Sequence, residues 1–472
     1  MRRTKIVCTL GPACETVETL RAMIRAGMNV ARLNFSHGTR DSHRSLIRKV
    51  KEAARLEDKV VAVMLDMKGP ELRVGELENG KLVLKEGSLV EITGAKVIGT
   101  EGLIPINYDK FAEDIKPGDT VLLDDGLLTL QVVEVRDNSS VCRVINGGEI
   151  SNHKGVNLPG LELSLPSLTE SDYGDIYLGL EEHVNFIAVS FVRKPQDVLD
   201  IRQLLEERGV HNIQLIAKVE TQAGVKNFDE ILQVVDAVMV ARGDLGVEIL
   251  PEEVPLVQKS LIKKCNQAGK PVITATHMLD SMVRNPRPTR AEASDVANAI
   301  FDGTDAVMLS GETAIGKFPV EAVETMARFS VRTERALNFR DILQRTRIDF
   351  PRTVTDAISH ATCTIAMDLQ ASAILTPTAS GFTARMVSRY RPKAPLVGLS
   401  AVEDTLAHLC LTWGVLPVKV PQVEGTDEMF KIGIEVCLGK GLVSKGDLIV
   451  FTAGVPIGGA GTTNLLKVGI VE

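Results

Sequence analysis

The chain has 472 residues, 44% of them hydrophobic, and 54 Lys and Arg against 61 Asp and Glu for a net charge of −7. That length predicts about two to four domains, and the acidic balance argues against nucleic acid or a membrane surface as partner, leaving room for a local basic pocket that takes a small anion. Seven dispersed cysteines without a CxxC pair, a basic N-terminus whose apolar run is too short for a signal peptide, and no later run of about eighteen apolar residues predict reduced thiols in a cytoplasmic protein.

Short β-branched runs come in order: KIVCTLG, MNVARLNFS and VVAVMLDMKG, then after a gap VNFIAVSFV, IQLIAKVE, DAVMVARGD, KPVITATHM and DAVMLSGET. Amphipathic stretches separate most of them, as in TVETLRAMIRAG, where Leu20, Met23 and Ile24 recur at helical spacing and Gly27 is a stop signal. Eight strands alternating with helices predict an α/β fold, a (β/α)8 TIM barrel in two parts, residues 1–69 and 169–343. Between them, residues 70–168 hold short alternating strands punctuated by ENG, KEG, KPGD, DDG, RDNSS and NGG, which predicts a small all-β barrel domain inserted as a lid. The polar, arginine-rich FRDILQRTRIDFPRTV reads as a linker, and the alternation beyond it predicts a further α/β domain over 344–472.

Barrel chemistry gathers at the C-terminal ends of the strands. The second strand delivers Arg32, Asn34 and Ser36 there, and the third Asp66 and Lys68, followed by Arg73. The fifth delivers Lys218 and Glu220, the sixth Arg242 and Asp244, the seventh Thr276 and His277, and the eighth Ser310 and Glu312. Lys218 and Glu220, two apart in an extended segment, point to one side. Glu220 and Asp244, on adjacent strands, repel unless a cation lies between them, and hard oxygen ligands with water suit Mg²⁺ or Mn²⁺. Lys218 is then a point charge free to serve a phosphoryl or enolate oxygen. The plainer readings are a surface Lys218–Glu220 ion pair and Asp244 as a helix N-cap. In RPTRAEASDVANAI, Thr289 with Glu292 three later is a capping box, which reads as scaffold or subunit contact, and His360 reads as ordinary helix packing.

ARLNFSHG, LDMKGPELR, KGVNLPG, AKVET, VARGDLGVE, ITATHMLDSM, NPRPTRAEASDVANAI and DGTDAVMLSGETAIGKFP, in this order, resemble the pyruvate kinase family over nearly the whole chain. The resemblance implies phosphoryl transfer from phosphoenolpyruvate to ADP, then protonation of the enolate to pyruvate. It implies that Glu220 and Asp244 hold the divalent cation and that Lys218 stabilises the phosphoryl group in flight. It further implies that Arg32 binds the substrate phosphate, that the Gly243 and Asp244 backbone with Thr276 holds the carboxylate, and that Thr276, with Ser310 and Glu312 through water, delivers the proton. Asn34, Ser36, Asp66 and the Met67 backbone carbonyl resemble the family's K⁺ site, and Glu71 fits members that need K⁺. Asn34, Phe35, Ser36, His37, Arg73 and Lys154 resemble its nucleotide contacts, Lys154 reaching in from the lid.

This sequence departs from the family at Met67, where many relatives have Thr, and at His277, where most have Gln. In the last domain TPTASGFTARM places Thr378, Ser380, Gly381 and Thr383 at a helix start, a geometry suited to phosphate. With the glycine-rich loop AGVPIGGAGTTN, residues 453–464, they resemble the family's effector site. Val455 stands where fructose-bisphosphate-binding members have Arg, which implies a monophosphate effector, and the resemblance also implies a homotetramer. A Mg²⁺-dependent lyase on pyruvate or phosphoenolpyruvate and a silent sugar-phosphate sensor are the competing readings.

Overall fold

The computed structural model describes residues 1–161, 163–349, 353–423, 425–456 and 461–472. Eight parallel strands close into a barrel in sequence order: Lys5–Thr9, Val30–Asn34, Ala62–Asp66, Phe186–Val189, Gln214–Val219, Ala237–Ala241, Val272–Ala275 and Ala306–Leu309, the last pairing with the first. Six of the eight are buried along their whole length, which is why they read as near-continuous apolar runs. Val7, Met64, Phe186, Met239 and Met308 fill the barrel interior. Their neighbours Ile6, Leu65, Ile187, Val238 and Leu309 pack outward against the helices. Each such side chain contributes roughly 1.5–3 kcal/mol of apolar burial, so a polar strand residue inside this core needs a functional reason.

Local signals set the helix ends. Thr16 accepts the Thr19 N–H at the start of helix Val17–Ala26, and Gly27, at φ 129°, closes it. Thr289 and Glu292 form the expected capping box of helix Arg290–Asp302, which ends at Gly303 in left-handed conformation.

Between the third and fourth barrel strands the chain builds a separate unit. A six-stranded sheet runs in the order Val156–Asn157, Thr120–Leu123, Leu128–Val135, Ser139–Asn146, Leu89–Thr93 and Leu103–Pro105. Strands Lys81–Leu84 and Gly148–Ser151 pair beside it, and one helical turn, Phe111–Asp114, joins the same core. In the DDG turn Asp124, Asp125 and Gly126 all have positive φ, a run of left-handed residues that costs conformational energy and turns the loop sharply.

The stretch expected to be a linker is instead helical over Phe339–Asp349. Its arginines and aspartates masked the pattern, yet Leu343 is buried against Cys363, Ile374 and Tyr390 of the last domain. That domain is a five-stranded sheet in the order Val415–Lys419, Leu396–Ser400, Ala373–Pro377, Leu448–Ala453 and Leu465–Ile470, parallel except for the final edge strand. His360, on helix Val354–Asp368, meets the Tyr390 ring edge-on, as expected of helix packing. The domain grips the N-terminal face of the barrel, where Arg391 pairs with Asp305 at 3.0 Å and Lys5 donates to the Val415 carbonyl at 2.5 Å. All seven cysteines are free and buried, and among the described residues no helix is long and apolar enough to cross a membrane.

Candidate active site

Charge breaks the apolar pattern at the C-terminal mouth of the barrel. Arg32, from the second strand, donates through Nε to Asp66 Oδ2 at 2.5 Å and through a terminal amine to Thr9 Oγ1 at 2.9 Å. Lys218 Nζ lies 3.1 Å from Asp66 Oδ1 and 2.9 Å from Glu220 Oε1, and it donates to Ser190 Oγ at 2.6 Å. The two-residue spacing of Lys218 and Glu220 therefore brings them to one side, as the alternation of a strand requires. Glu220 is 1% exposed, so a surface ion pair is excluded. Its second oxygen accepts the Phe191 N–H at 2.7 Å, at a residue held at φ 54°.

The electrostatics follow from burial. Desolvation alone would lower the Lys218 ammonium, but the carboxylates of Asp66 and Glu220 hold it above its ordinary value. Asp66, despite complete burial, is held below the usual carboxylate range by Arg32 and Lys218. Glu220 is pushed up by burial against the pull of Lys218, with Asp244 adding to the rise. Asp244 is raised by burial too, again against Lys218, with Asp125 of the inserted domain and Glu71 adding repulsion. The mouth thus holds more anionic charge than its own cations neutralise.

Asp244 does not cap a helix. It is the third residue of helix Arg242–Glu248, whose N-cap position is Ala241 and whose N-cap side chain makes no hydrogen bond. Among the described residues, no group of three or more His, Cys, Asp or Glu is placed to hold a metal ion. A cation between Glu220 and Asp244 would accordingly take its other ligands from water and substrate oxygens, the coordination habit of Mg²⁺ at phosphate sites. The residues present fit such an ion.

Thr276 and His277 follow the seventh strand at φ 62° and 55°. The Gly243 N–H donates to Thr276 Oγ1 at 2.7 Å, and that hydroxyl donates to the Ala275 carbonyl at 2.7 Å. Arg242 braces the turn: Nε donates to the Ala275 carbonyl at 3.1 Å, one terminal amine to the Thr276 carbonyl at 2.8 Å, and both terminal amines to Asp295 at 2.7 Å. Glu312 accepts the N–H groups of Leu279 at 3.0 Å and Ser310 at 2.6 Å, and burial raises its carboxyl. Ser310 Oγ is buried with no hydrogen-bond partner among the described residues.

The turn after the second strand carries Asn34, Phe35, Ser36 and His37. Asn34 Oδ1 accepts the Ser36 N–H at 3.2 Å, and the Phe35 ring stacks on His43 with centroids 4.1 Å apart. Ser36 Oγ reaches Glu71 at 3.4 Å, and Glu71 in turn holds Arg73 at 2.6 Å. In a cleft of about 680 Å³, Lys154 pairs with Asp124 of the same inserted domain at 2.8 Å. Arg73, Asp124, Asp125, Lys154, Phe191 and Asp244 all line this cleft, so the inserted domain faces the barrel mouth.

A second pocket of about 200 Å³ in the last domain is lined by Thr378, Ser380 and Thr383. Thr383 is buried there, its hydroxyl 3.0 Å from that of Thr463. Gly381, at φ 78°, starts the following helical turn, and residues 457–460 of the second glycine-rich loop lie outside the described residues.

Sequence reasoning passed over the end of the fourth strand. Ser190 and the Phe191 N–H both touch the Lys218–Glu220 pair, and the available signal was a serine directly after the apolar FIAV, the same boundary that marks the other site residues.

Comparison with known proteins gives one answer over the whole length. The family described as "Pyruvate kinase, barrel domain" matches residues 1–323, and "Pyruvate kinase, alpha/beta domain" matches residues 356–469. A pyruvate kinase of Geobacillus stearothermophilus is 54% identical over 473 aligned positions, covering 100% of this chain and 81% of that protein. One from Clostridium acetobutylicum is 49% identical with both chains fully covered. The solved structure of a Cryptosporidium parvum pyruvate kinase superposes with a TM-score of 0.95 at 39% identity, covering 100% of this chain and 96% of that one.

Proposed function

The chain belongs to the pyruvate kinase family of phosphotransferases, and from that premise we propose how its barrel-mouth residues divide the transfer of a phosphoryl group from phosphoenolpyruvate to ADP. The observation that supports the division is the position of Lys218, a buried ammonium fixed between Asp66 and Glu220 at the barrel mouth. Arg32 binds the substrate phosphate with the terminal amine that neither Asp66 nor Thr9 occupies. Lys218 meets the charge that spreads over the phosphoryl oxygens as it leaves, an electrostatic contribution of the kind that dominates such transfers. The Gly243 and Asp244 backbone and Thr276 receive the substrate carboxylate, which competes with Thr276 Oγ1 for the Gly243 N–H and with the Ala275 carbonyl for the Thr276 hydroxyl hydrogen. Thr276, relayed through water by Ser310 and Glu312, supplies the proton to the enolate.

Glu220 and Asp244 hold Mg²⁺ or Mn²⁺, which supplies charge neutralisation between the two anionic substrates when bound. Asn34, Ser36, Asp66 and the Met67 carbonyl hold K⁺, and Glu71 and Arg73 flank that site. Asn34 to His37, Arg73 and Lys154 contact the nucleotide, with the inserted domain acting as lid to exclude water that would otherwise hydrolyse the phosphoryl group. The test is joint formation of pyruvate and ATP from phosphoenolpyruvate and ADP, with Mg²⁺ and K⁺ each supplied or withheld. Activity without either cation, or pyruvate without ATP, overturns the reading.

Three further parts of the reading rest on the last domain and on the surface. The Thr378–Thr383 pocket takes a phosphorylated effector, and with Val455 in the facing loop it is activated by a monophosphate such as ribose 5-phosphate or AMP. Strong activation by fructose 1,6-bisphosphate alone sinks that assignment. The chain works in the cytoplasm, where its seven unpaired thiols stay reduced. It assembles as a homotetramer, which light scattering of the purified protein checks directly.

A further inference from the structure

Ser190, at the end of the fourth barrel strand, sits between two groups that the proposed mechanism uses separately. Its hydroxyl lies 2.6 Å from Lys218 Nζ and 2.6 Å from the Met67 carbonyl oxygen. The direction of both bonds is forced, because a carbonyl has no hydrogen to give and an ammonium no lone pair to offer. Ser190 donates its single hydrogen to Met67 and accepts one from Lys218. The ammonium donates to Ser190 at 2.6 Å and forms ion pairs with Glu220 at 2.9 Å and Asp66 at 3.1 Å. It is held by one hydroxyl and two carboxylates from three neighbouring strand ends. The Met67 carbonyl has no other hydrogen-bond donor among the described residues, so Ser190 is its one hydrogen-bond anchor there.

We propose that Ser190 is a positioning residue that couples the monovalent-cation site to the phosphoryl-facing ammonium, by orienting the Met67 carbonyl with one side of its hydroxyl and Lys218 with the other. This rests on the roles given above to Met67 and Lys218. A carbonyl oxygen has two acceptor directions; with one held by Ser190, the other is left for the cation assigned above to Asn34, Ser36, Asp66 and Met67. Without the hydroxyl the peptide is free to rotate, and a cation must order it on binding. The same loss takes from Lys218 its hydrogen-bonded hydroxyl and leaves only the two carboxylate ion pairs, so its charge is less well aimed at the moving phosphoryl group. Ser190 is 5% exposed and touches no substrate in this scheme. It acts through its neighbours.

The experiment compares the full-length protein with Ser190→Ala and Ser190→Thr. Two readouts are taken against KCl, with choline chloride holding ionic strength constant: the thermal melting midpoint without substrates, which reports cation binding directly, and kcat at saturating Mg²⁺ and substrates. In Ser190→Ala the half-saturating K⁺ concentration rises about tenfold in both titrations, the scale of one lost hydrogen bond to a charged or polarised group. Its kcat falls at saturating K⁺, while KM for ADP stays within about twofold. Ser190→Thr, which keeps a hydroxyl, restores both. A merely structural serine lowers the melting midpoint equally at every K⁺ concentration and leaves half-saturation where it was; that result overturns the proposal. Wild-type protein indifferent to K⁺ in the melting series overturns the cation site itself, and the coupling falls with it.

Discussion

Lys218→Met separates what the ammonium does for the reaction from what it does for the fold. For the rate, losing one preorganised partner of the developing charge costs about 10²–10³ in kcat, roughly 3–4 kcal/mol. The loss falls on kcat more than on KM, because the interaction is made mainly in the transition state. For stability, removing one member of a buried ion pair costs about 3–5 kcal/mol when the remaining charge stays uncompensated. The two carboxylates differ here. Asp66 keeps Arg32 at 2.5 Å and stays ionised. Glu220 keeps only the Phe191 N–H, and burial already raises its carboxyl. In the variant Glu220 rises further and takes up a proton, which relieves the strain on the fold and removes a metal ligand.

The sign follows from proton counting. Between the wild-type Glu220 value, already pushed up to about 7, and the still higher one in the variant, only the folded variant keeps the proton, so its stability relative to wild type falls as pH rises through that window and levels off above it. Urea unfolding midpoints of the two proteins across a pH series, paired with kcat for pyruvate and ATP formation, measure both effects. A kcat within about tenfold of wild type, or a stability difference that does not change with pH, refutes the reasoning.

Divalent-cation affinity should rise with pH. Glu220 and Asp244 are raised by burial, so the protein gives up protons as the cation binds; calorimetry in buffers of different ionisation heat reads that release, and a buffer-independent heat below neutral pH contradicts it. Gly243→Ala should leave folding intact and raise KM for phosphoenolpyruvate. An added Cβ meets Thr276 Oγ1 at 3.5 Å and His277 at 3.7 Å, ordinary contacts, but it stands where the carboxylate is received; equal KM with a lowered melting midpoint reverses the argument. In the inserted domain Asp114 is held low by hydrogen bonds from Tyr108 and Ser164, against burial that would raise it. Its contribution is present above the ordinary carboxyl value and is lost as pH falls through the depressed native one. Acid should therefore raise the protease susceptibility of this domain in wild type, and Asp114→Ala should flatten that pH dependence.

The barrel was legible because parallel strands buried on both faces must be apolar throughout, and each run then ended on charge. Lys218 and Glu220 were placed on one side by the period of a strand alone. What sequence could not show was mutual reach. Whether Asp244 capped its helix depended on where the helix began, and it began at Arg242, two residues earlier. Ser190 was overlooked because a lone serine after an apolar run carries no charge to mark it, although its two bonds join residues 67 and 218. Helix Phe339–Asp349 was hidden in the same way, its few apolar residues diluted by arginine and aspartate.

Thr276 and His277 are held in backbone geometry that β-branched and bulky residues avoid, and what holds them lies partly on the outside of the barrel. Arg242 grips the carbonyls of Ala275 and Thr276 with one edge of its guanidinium and Asp295 with the other, and Asp295 rides on helix Arg290–Asp302. The same helix holds Ser281, farther along the same loop, through Glu292 at 2.7 and 2.6 Å. The turn is thus a spring kept bent by a peripheral lever. A substitution on the far side of that helix, touching neither substrate nor metal, can let the turn relax toward ordinary φ values and carry the Thr276 hydroxyl out of line.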